Sequence, residues 1–91
     1  MADVPARPNW NGSPTELGEL FVMRRGRREM TCTLFSHRLG WELRLLMGVR
    51  ADIMLAKVCP SYDDVSTTGE QWKTALLEKG WKQFDTDAGT V

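Results

Sequence analysis

Four short strand-like segments, separated by turn residues, constrain the fold of this chain more than any other sequence feature. They are rich in apolar and β-branched side chains and span residues 20–24, 29–36, 41–47 and 52–58. The three breaks between them are short, and each contains a glycine, as turns commonly do. Because short breaks join neighbouring antiparallel strands, the simplest topology is a four-stranded meander.

The side chains of these segments alternate as expected for a sheet with one covered and one open face. In the third segment, Glu42 and Arg44 oppose an apolar set consisting of Trp41, Leu43, Leu45 and Met47. In the second segment, Thr31, Thr33 and Phe35 oppose a set consisting of Met30, Cys32 and Leu34. The fourth segment is apolar on both faces, so its periodicity does not predict which face is covered.

Beyond the fourth segment the pattern changes to that of a helix. Ser61 is followed three residues later by Asp64, a spacing that predicts an N-cap with an acidic side chain in the first turn. The helical signal is weaker in the middle of this segment, because residues 66–69 (S-T-T-G) have low helix propensity. Two interpretations remain open: one helix that is continuous through Gly69, or a helix that begins at Thr68 after a separate turn.

The end of the helix has a clearer signal. Gly80 stands where a left-handed residue commonly ends a helix, and Trp81 follows where a Schellman motif packs an apolar side chain on Leu76. Trp72 and Leu76 lie on one stripe, which is expected to cover the apolar sheet face. The predicted fold class is therefore α+β: a four-stranded antiparallel β-meander followed by one C-terminal α-helix packed on one sheet face.

The 91 residues suffice for one domain. Residues 1–16 contain three of the four prolines and are expected to form an irregular N-terminal arm. Residues 17–81 form the single ββββα domain. Residues 82–91 have little apolar content apart from Phe84 and are predicted to be a flexible C-terminal tail.

Composition argues against a membrane protein and favours a cytoplasmic one. No apolar run approaches the roughly 18 residues that a membrane-spanning helix needs, so no membrane partner is expected. The first residues lack the apolar core of a secretory signal. Two cysteines without an export signal are expected to remain reduced thiols in the cytoplasm.

The residues that could carry chemistry are few and badly spaced for it. Cys32 and Cys59 lack the paired spacing of zinc ligands. With His37 they include residue types found in metal sites and in nucleophilic Cys-His pairs, but no motif that would bring them together. They are interpreted as two small buried hydrophobes and a turn histidine. Asp63 and Asp64 are explained by their place in the first helical turn. The sequence therefore predicts no enzyme, no cofactor and no metal site.

Charge is distributed unevenly along a chain whose formal net charge is zero. Residues 24–57 contain eight basic and three acidic residues, and both flanking parts are acidic. The basic side chains concentrate around Gly26, at the centre of a predicted hairpin turn. Together with the polar sheet face they make a candidate binding face, which consists of Arg24, Arg25, Arg27, Arg28, Thr31, Thr33, Phe35, Arg44 and Leu46.

An antiparallel sheet followed by a helix resembles, in element order, the AP2-type and integrase-arm DNA-binding domains. The resemblance covers roughly residues 19–81 and includes no diagnostic motif; it implies a sheet that enters the major groove of DNA. Those domains have a three-stranded sheet, whereas this chain has a fourth predicted strand. Its net charge is also zero, whereas DNA binders usually have an excess of basic residues.

Two functional hypotheses follow. The first is a small bacterial-type binding or assembly module that uses an open sheet face or edge to bind a protein partner or a second copy of itself in a homodimer. The alternative is a nucleic-acid-binding regulator that uses the basic hairpin and sheet face; the neutral charge makes nucleic acid the less favoured partner.

Overall fold

The computed structural model describes residues 12–84 and shows one antiparallel sheet with one helix packed on it. The elements are β1 (Glu16–Arg25), β2 (Arg28–His37), β3 (Gly40–Met47), β4 (Asp52–Cys59), α1 (Tyr62–Glu78) and β5 (Lys82–Phe84). Most of the predicted N-terminal arm, residues 1–11, and most of the predicted tail, residues 85–91, lie outside the described residues.

The strand order β4-β3-β2-β1-β5 confirms the predicted meander, because each of the first four strands pairs with the next along the chain. Consecutive antiparallel strands need only tight turns, and the glycines of the three breaks provide them. At Gly26 the backbone has φ 62°, a left-handed conformation that favours glycine.

Gly40, where β3 begins, is required for a different reason. A Cβ atom at this position would lie 2.8 Å from the carbonyl oxygen of Cys59, at the end of β4. Only a residue without a side chain lets the two backbones approach so closely, and the φ of 136° is also one that other residues rarely adopt. Gly40 thus fixes how β4 leaves the sheet toward the helix.

The core lies between the helix and one face of the sheet. The apolar sets predicted from alternation face this side, and Met23, Cys32, Leu43 and Cys59 are fully buried there. Val65 and Leu76 are the buried apolar side chains of the helix itself. Alternation in the second and third segments therefore predicted the covered face correctly.

The helix is continuous from Tyr62 to Glu78, which settles the question of Gly69. The low propensity of residues 66–69 is overcome because Thr68 and Gly69 are buried against the sheet, where Gly69 faces the side chains of Leu20 and Leu43. A Cβ atom at position 69 would lie 3.9 Å from each of these two side chains, an ordinary van der Waals distance, so the helix packs on the sheet here without requiring glycine.

Both predicted helix caps are present. The Ser61 hydroxyl accepts a hydrogen bond from the backbone N–H of Asp64 at 3.2 Å. At the other end, the N–H of Trp81 donates to the carbonyl of Leu76 at 3.0 Å, and that of Gly80 donates to Leu77 at 3.1 Å. These two bonds define a Schellman motif.

A fifth strand occupies residues that the sequence assigned to the tail. Lys82–Phe84 pairs antiparallel with β1, with Val22 opposite Phe84. The preceding residue, Trp81, is buried in the core, and Phe84 lies against the guanidinium of Arg24, so β5 is in contact with the domain at both ends. Within residues 12–84, no helix is both long and apolar enough to cross a membrane.

Candidate binding surface

The candidate binding face divides into two separate groups in the structure. Arg24 and Arg25 end β1, Arg27 lies in the turn and Arg28 begins β2, so the four arginines surround the tip of the first hairpin. The other five residues lie further along β2 and β3, on the sheet face opposite the helix, and are Thr31, Thr33, Phe35, Arg44 and Leu46.

Among residues 12–84, Arg24 is the one arginine of the hairpin tip that forms an ion pair. Its Nε donates to a carboxylate oxygen of Glu29 at 3.0 Å, and its guanidinium lies 3.7 Å from the ring centroid of Phe84. Arg25, Arg27 and Arg28 are exposed and form no ion pair with any residue between 12 and 84. These three charges are therefore available to an anion.

An open cleft of about 620 Å³ adjoins the tip. Its lining includes Arg27, Arg28 and Glu29 from the first hairpin, and Met47 and Val49 from the end of β3 and the turn that follows. A cleft with guanidinium and apolar walls can accommodate an anionic group attached to an apolar or aromatic body.

The open sheet face is dominated by a pair of stacked side chains. The Arg44 guanidinium lies 4.2 Å from the ring centroid of Phe35, and its Nη2 lies 2.9 Å from a carboxylate oxygen of Glu42. Thr33, directly opposite Arg44, is buried. Because Glu42 neutralises Arg44, this face offers no free positive charge at its centre.

The register shows that Arg44 does not join the hairpin arginines in one patch. Arg44 is opposite Thr33, whereas Arg24 is opposite Glu29, four residues earlier in β2. Four residues of strand correspond to about 13 Å. The two groups are therefore separate surfaces, one cationic and one largely neutralised.

The cysteines and the histidine have structural environments. Cys32 and Cys59 are free and buried; burial raises the pKa of Cys32 to about 12 and also raises the pKa of Cys59. His37 Nδ1 accepts a hydrogen bond from the N–H of Leu39 at 3.0 Å within the β2–β3 turn. Among residues 12–84, no group of three or more His, Cys, Asp or Glu side chains could hold a metal ion.

Beside Cys59, Thr68 is a buried polar residue on the helix. Its hydroxyl has no hydrogen-bond partner at ordinary distance and angle among residues 12–84. Burial raises the pKa of the nearby Cys59 thiol, and the Thr68 hydroxyl offsets part of this increase. The Cys59 thiol itself makes a long contact of 3.8 Å with the carbonyl oxygen of Lys57. Burial and weak hydrogen bonding favour the neutral thiol, so these sulfurs are poor nucleophiles.

The feature that alternation did not reveal is β4. It is an outer strand of the sheet, and all of its residues except Cys59 are exposed. Its large apolar side chains are between 37% and 57% exposed: Ile53, Met54, Leu55 and Val58. The sequence contained one sign of this exposed strand. Residues 52–58 are apolar on both faces, and their charged residues are Asp52 and Lys57, near the two ends.

The opposite edge of the sheet, formed by β5 and part of β1, differs from the edge at β4. There β5 covers only residues 22–24 of β1, and the preceding part of β1 has two register irregularities, between Glu16 and Gly18 and between Glu19 and Phe21. Bulges and acidic side chains make an edge less suitable for further pairing, and this edge has two bulges. β4 has one register shift in its pairing with β3, between Leu45 and Leu46, and is regular from Leu55 to Cys59, so it is the more regular of the two edges.

Comparisons with protein-family models, with curated proteins and with solved structures find no match to this chain.

Proposed function

We propose that this protein is a small non-catalytic binding or assembly module that binds a protein partner by strand addition at β4. The observation that carries the proposal is the exposure of four large apolar side chains on this one outer strand. An outer strand also presents unpaired backbone N–H and C=O groups along its free side. Main-chain hydrogen bonds and side-chain contacts would then combine, as in other strand-addition complexes.

The two faces of β4 support strand addition more than docking on one face. The register places Leu55 beside Leu45 on the helix side, and Ile53 beside Leu46 on the open side. An added strand would shield apolar side chains on both sides at once, whereas a ligand on either face would leave the other exposed. Leu46 would extend the contact onto the open face.

Site-specific photocrosslinking tests this proposal in cells. A benzophenone side chain in place of Ala56, which is exposed on β4, is expected to give a discrete crosslinked product. The same group in place of Ala75, which is exposed on the helix, is the matched control. Absence of a product at position 56 above the level at position 75 would rule out β4 as a binding edge.

A second candidate, nucleic-acid binding, is favoured by the hairpin tip alone. Arg25, Arg27 and Arg28 are exposed without ion-pair partners among residues 12–84, and phosphate contacts need such side chains. The zero net charge of the chain limits the affinity that counterion release can provide. We therefore rank this candidate below protein binding.

A fluorescence titration at low salt tests the second candidate. Binding of labelled DNA or RNA would weaken with salt, and Arg27→Gln would lower the salt slope by roughly one. Arg38→Gln, at the opposite end of the sheet, is the control. The hypothesis fails if nothing binds at low salt, or if both variants lose affinity equally.

We place this activity in the cytoplasm. Cys32 and Cys59 are free thiols, which is the state that a reducing compartment maintains.

A further inference from the structure

We propose that the partner of β4 is a second copy of this chain, whose β4 runs antiparallel to the first around a two-fold axis near Leu55. The inference rests on the proposed function of β4 as a binding edge and adds the identity and register of its partner.

The side-chain order of β4 is set by its pairing with β3. Lys57 is opposite Leu43 and Leu55 is opposite Leu45, so both lie on the helix side. The register then shifts, because Leu46 pairs with Ile53 and Met54 is the extra residue of a bulge.

After that shift, Asp52 returns to the helix side. It is opposite Met47, a residue packed against the core. The bulge therefore places Asp52 and Lys57 on the same face of β4, whereas simple alternation over five residues would have put them on opposite faces. Leu55 lies between the two on that face.

Symmetry restricts how two copies of β4 can pair. A two-fold axis that relates two antiparallel edge strands must be perpendicular to the sheet, so residues opposite each other lie on the same face. With the axis at Leu55, Leu55 faces Leu55 of the second copy. Asp52 then faces Lys57 of the second copy, and Lys57 faces the other Asp52, giving two ion pairs around an apolar centre.

Neighbouring registers lack this complementarity. An axis at Ala56 would oppose Leu55 to Lys57 and Asp52 to Cys59, leaving both charges unmatched. Within each copy, Asp52 and Lys57 are exposed and form no ion pair with another residue of the described range 12–84. Both charges are thus available to a second copy, and only the register centred on Leu55 uses them.

The resulting dimer would contain one continuous ten-stranded sheet with both helices on the same side. The exposed apolar side chains of the two β4 strands would shield one another on each face, with Ile53 and Met54 near Ala56 of the second copy on the open side. Such an interface combines main-chain bonding with the cross-strand pairs that stabilise sheets.

Charge reversal on the full-length protein tests the register. Asp52→Lys puts lysine opposite lysine twice, and Lys57→Asp puts aspartate opposite aspartate twice, so each is expected to weaken self-association about tenfold. The double variant D52K/K57D restores both ion pairs and should self-associate like the unmodified protein. An equimolar mixture of the two single variants should form the heterodimer. Glu78→Lys, on the exposed end of the helix, is the control and should not change association.

Sedimentation equilibrium from micromolar to millimolar protein measures these associations, and circular dichroism confirms that each variant is folded. A purified protein that stays monomeric throughout would overturn self-pairing. A dimer that single and double variants weaken alike would overturn the register. The proposed function is separable: a crosslink from position 56 to a different protein, with a monomeric purified chain, would refute the second copy and leave the binding edge supported.

Discussion

At the scale of single residues, burial determines the protonation and reactivity of the two cysteines. Cys32 is completely buried, and its pKa of about 12 keeps the thiol neutral at physiological pH. Gly40 is equally constrained, because a backbone oxygen occupies the space of a side chain.

The raised pKa of Cys32 predicts a loss of stability at alkaline pH. The folded state binds the proton more tightly than the unfolded chain, whose thiol pKa is near 9.0, so this stabilisation is complete below about pH 9 and declines as pH rises toward 12. One proton corresponds to about 1.4 kcal/mol per pH unit over that interval.

Denaturant unfolding at several pH values checks this prediction. Cys32→Ala is expected to be less stable at neutral pH, because it leaves a cavity, but to lose stability less steeply above pH 9. Parallel curves for the two proteins would show that Cys32 does not titrate as predicted. In the folded protein near pH 8, both thiols should react with a thiol reagent only as fast as the chain opens.

Gly40→Ala should lower the free energy of unfolding by about 3 kcal/mol, because both the left-handed backbone and the contact with the Cys59 carbonyl are unfavourable. Gly26→Ala is the matched control: its φ is also positive, but nothing lies within 4 Å of the new Cβ, so roughly 1–2 kcal/mol is expected. Urea denaturation measures both, and equal losses would show that the close approach at Gly40 contributes nothing.

At the scale of elements, each end of the helix is fixed by local interactions and its middle by the sheet. Ser61 caps the first turn and Gly80 ends the last, and both were predictable because capping depends on residues close in sequence. The continuity through Gly69 was not predictable, because it depends on the burial of Thr68 and Gly69 against strands that are distant in sequence.

Removing the N-cap tests the first of these local interactions. Ser61→Ala should lower the free energy of unfolding by about 1 kcal/mol, since the N–H of Asp64 loses its acceptor. Ser66→Ala, at an exposed site within the helix, should leave stability unchanged or raise it slightly, because alanine has the higher helix propensity. Thermal unfolding distinguishes the two, and a similar effect at both positions would contradict the capping role.

The strands show the same division between local and distant causes. The four main strands and the covered face of β2 and β3 were predictable from turn glycines and alternation. The pairing of β5 with β1 was not predicted; it accompanies the burial of Trp81 and the contact of Phe84 with Arg24, which residue order alone does not specify. The exposure of β4 was also hidden, because a short run that is apolar on both faces is equally typical of a buried strand.

The candidate site could be predicted only in part for the same reason. The hairpin arginines cluster because they are neighbours in sequence around Gly26. The pairing of Arg44 with Glu42 and its stacking on Phe35 depend on side-chain positions across two strands, which residue order alone does not specify.

At the scale of the whole molecule, stability should fall from the middle of the sheet toward its outer strands. Amides of β2 and β3, which have neighbours on both sides, are expected to exchange hydrogen only through global unfolding, and those of β4 and β5 faster through local opening. Hydrogen exchange measured residue by residue checks this order. If β4 pairs with a second copy, its amides alone should gain protection as protein concentration rises; uniform protection across the sheet would contradict the predicted order.

The two irregularities in β1 have a consequence for polymer growth. A filament that grows by strand addition needs two pairing edges on every subunit, because each added subunit must present a free edge to the next one. Here the bulged and acidic edge of β1 is a poor acceptor. If β4 pairs as proposed, the described part of the opposite edge, within residues 12–84, would be a poor site for a further strand, and we expect growth to stop at a finite complex.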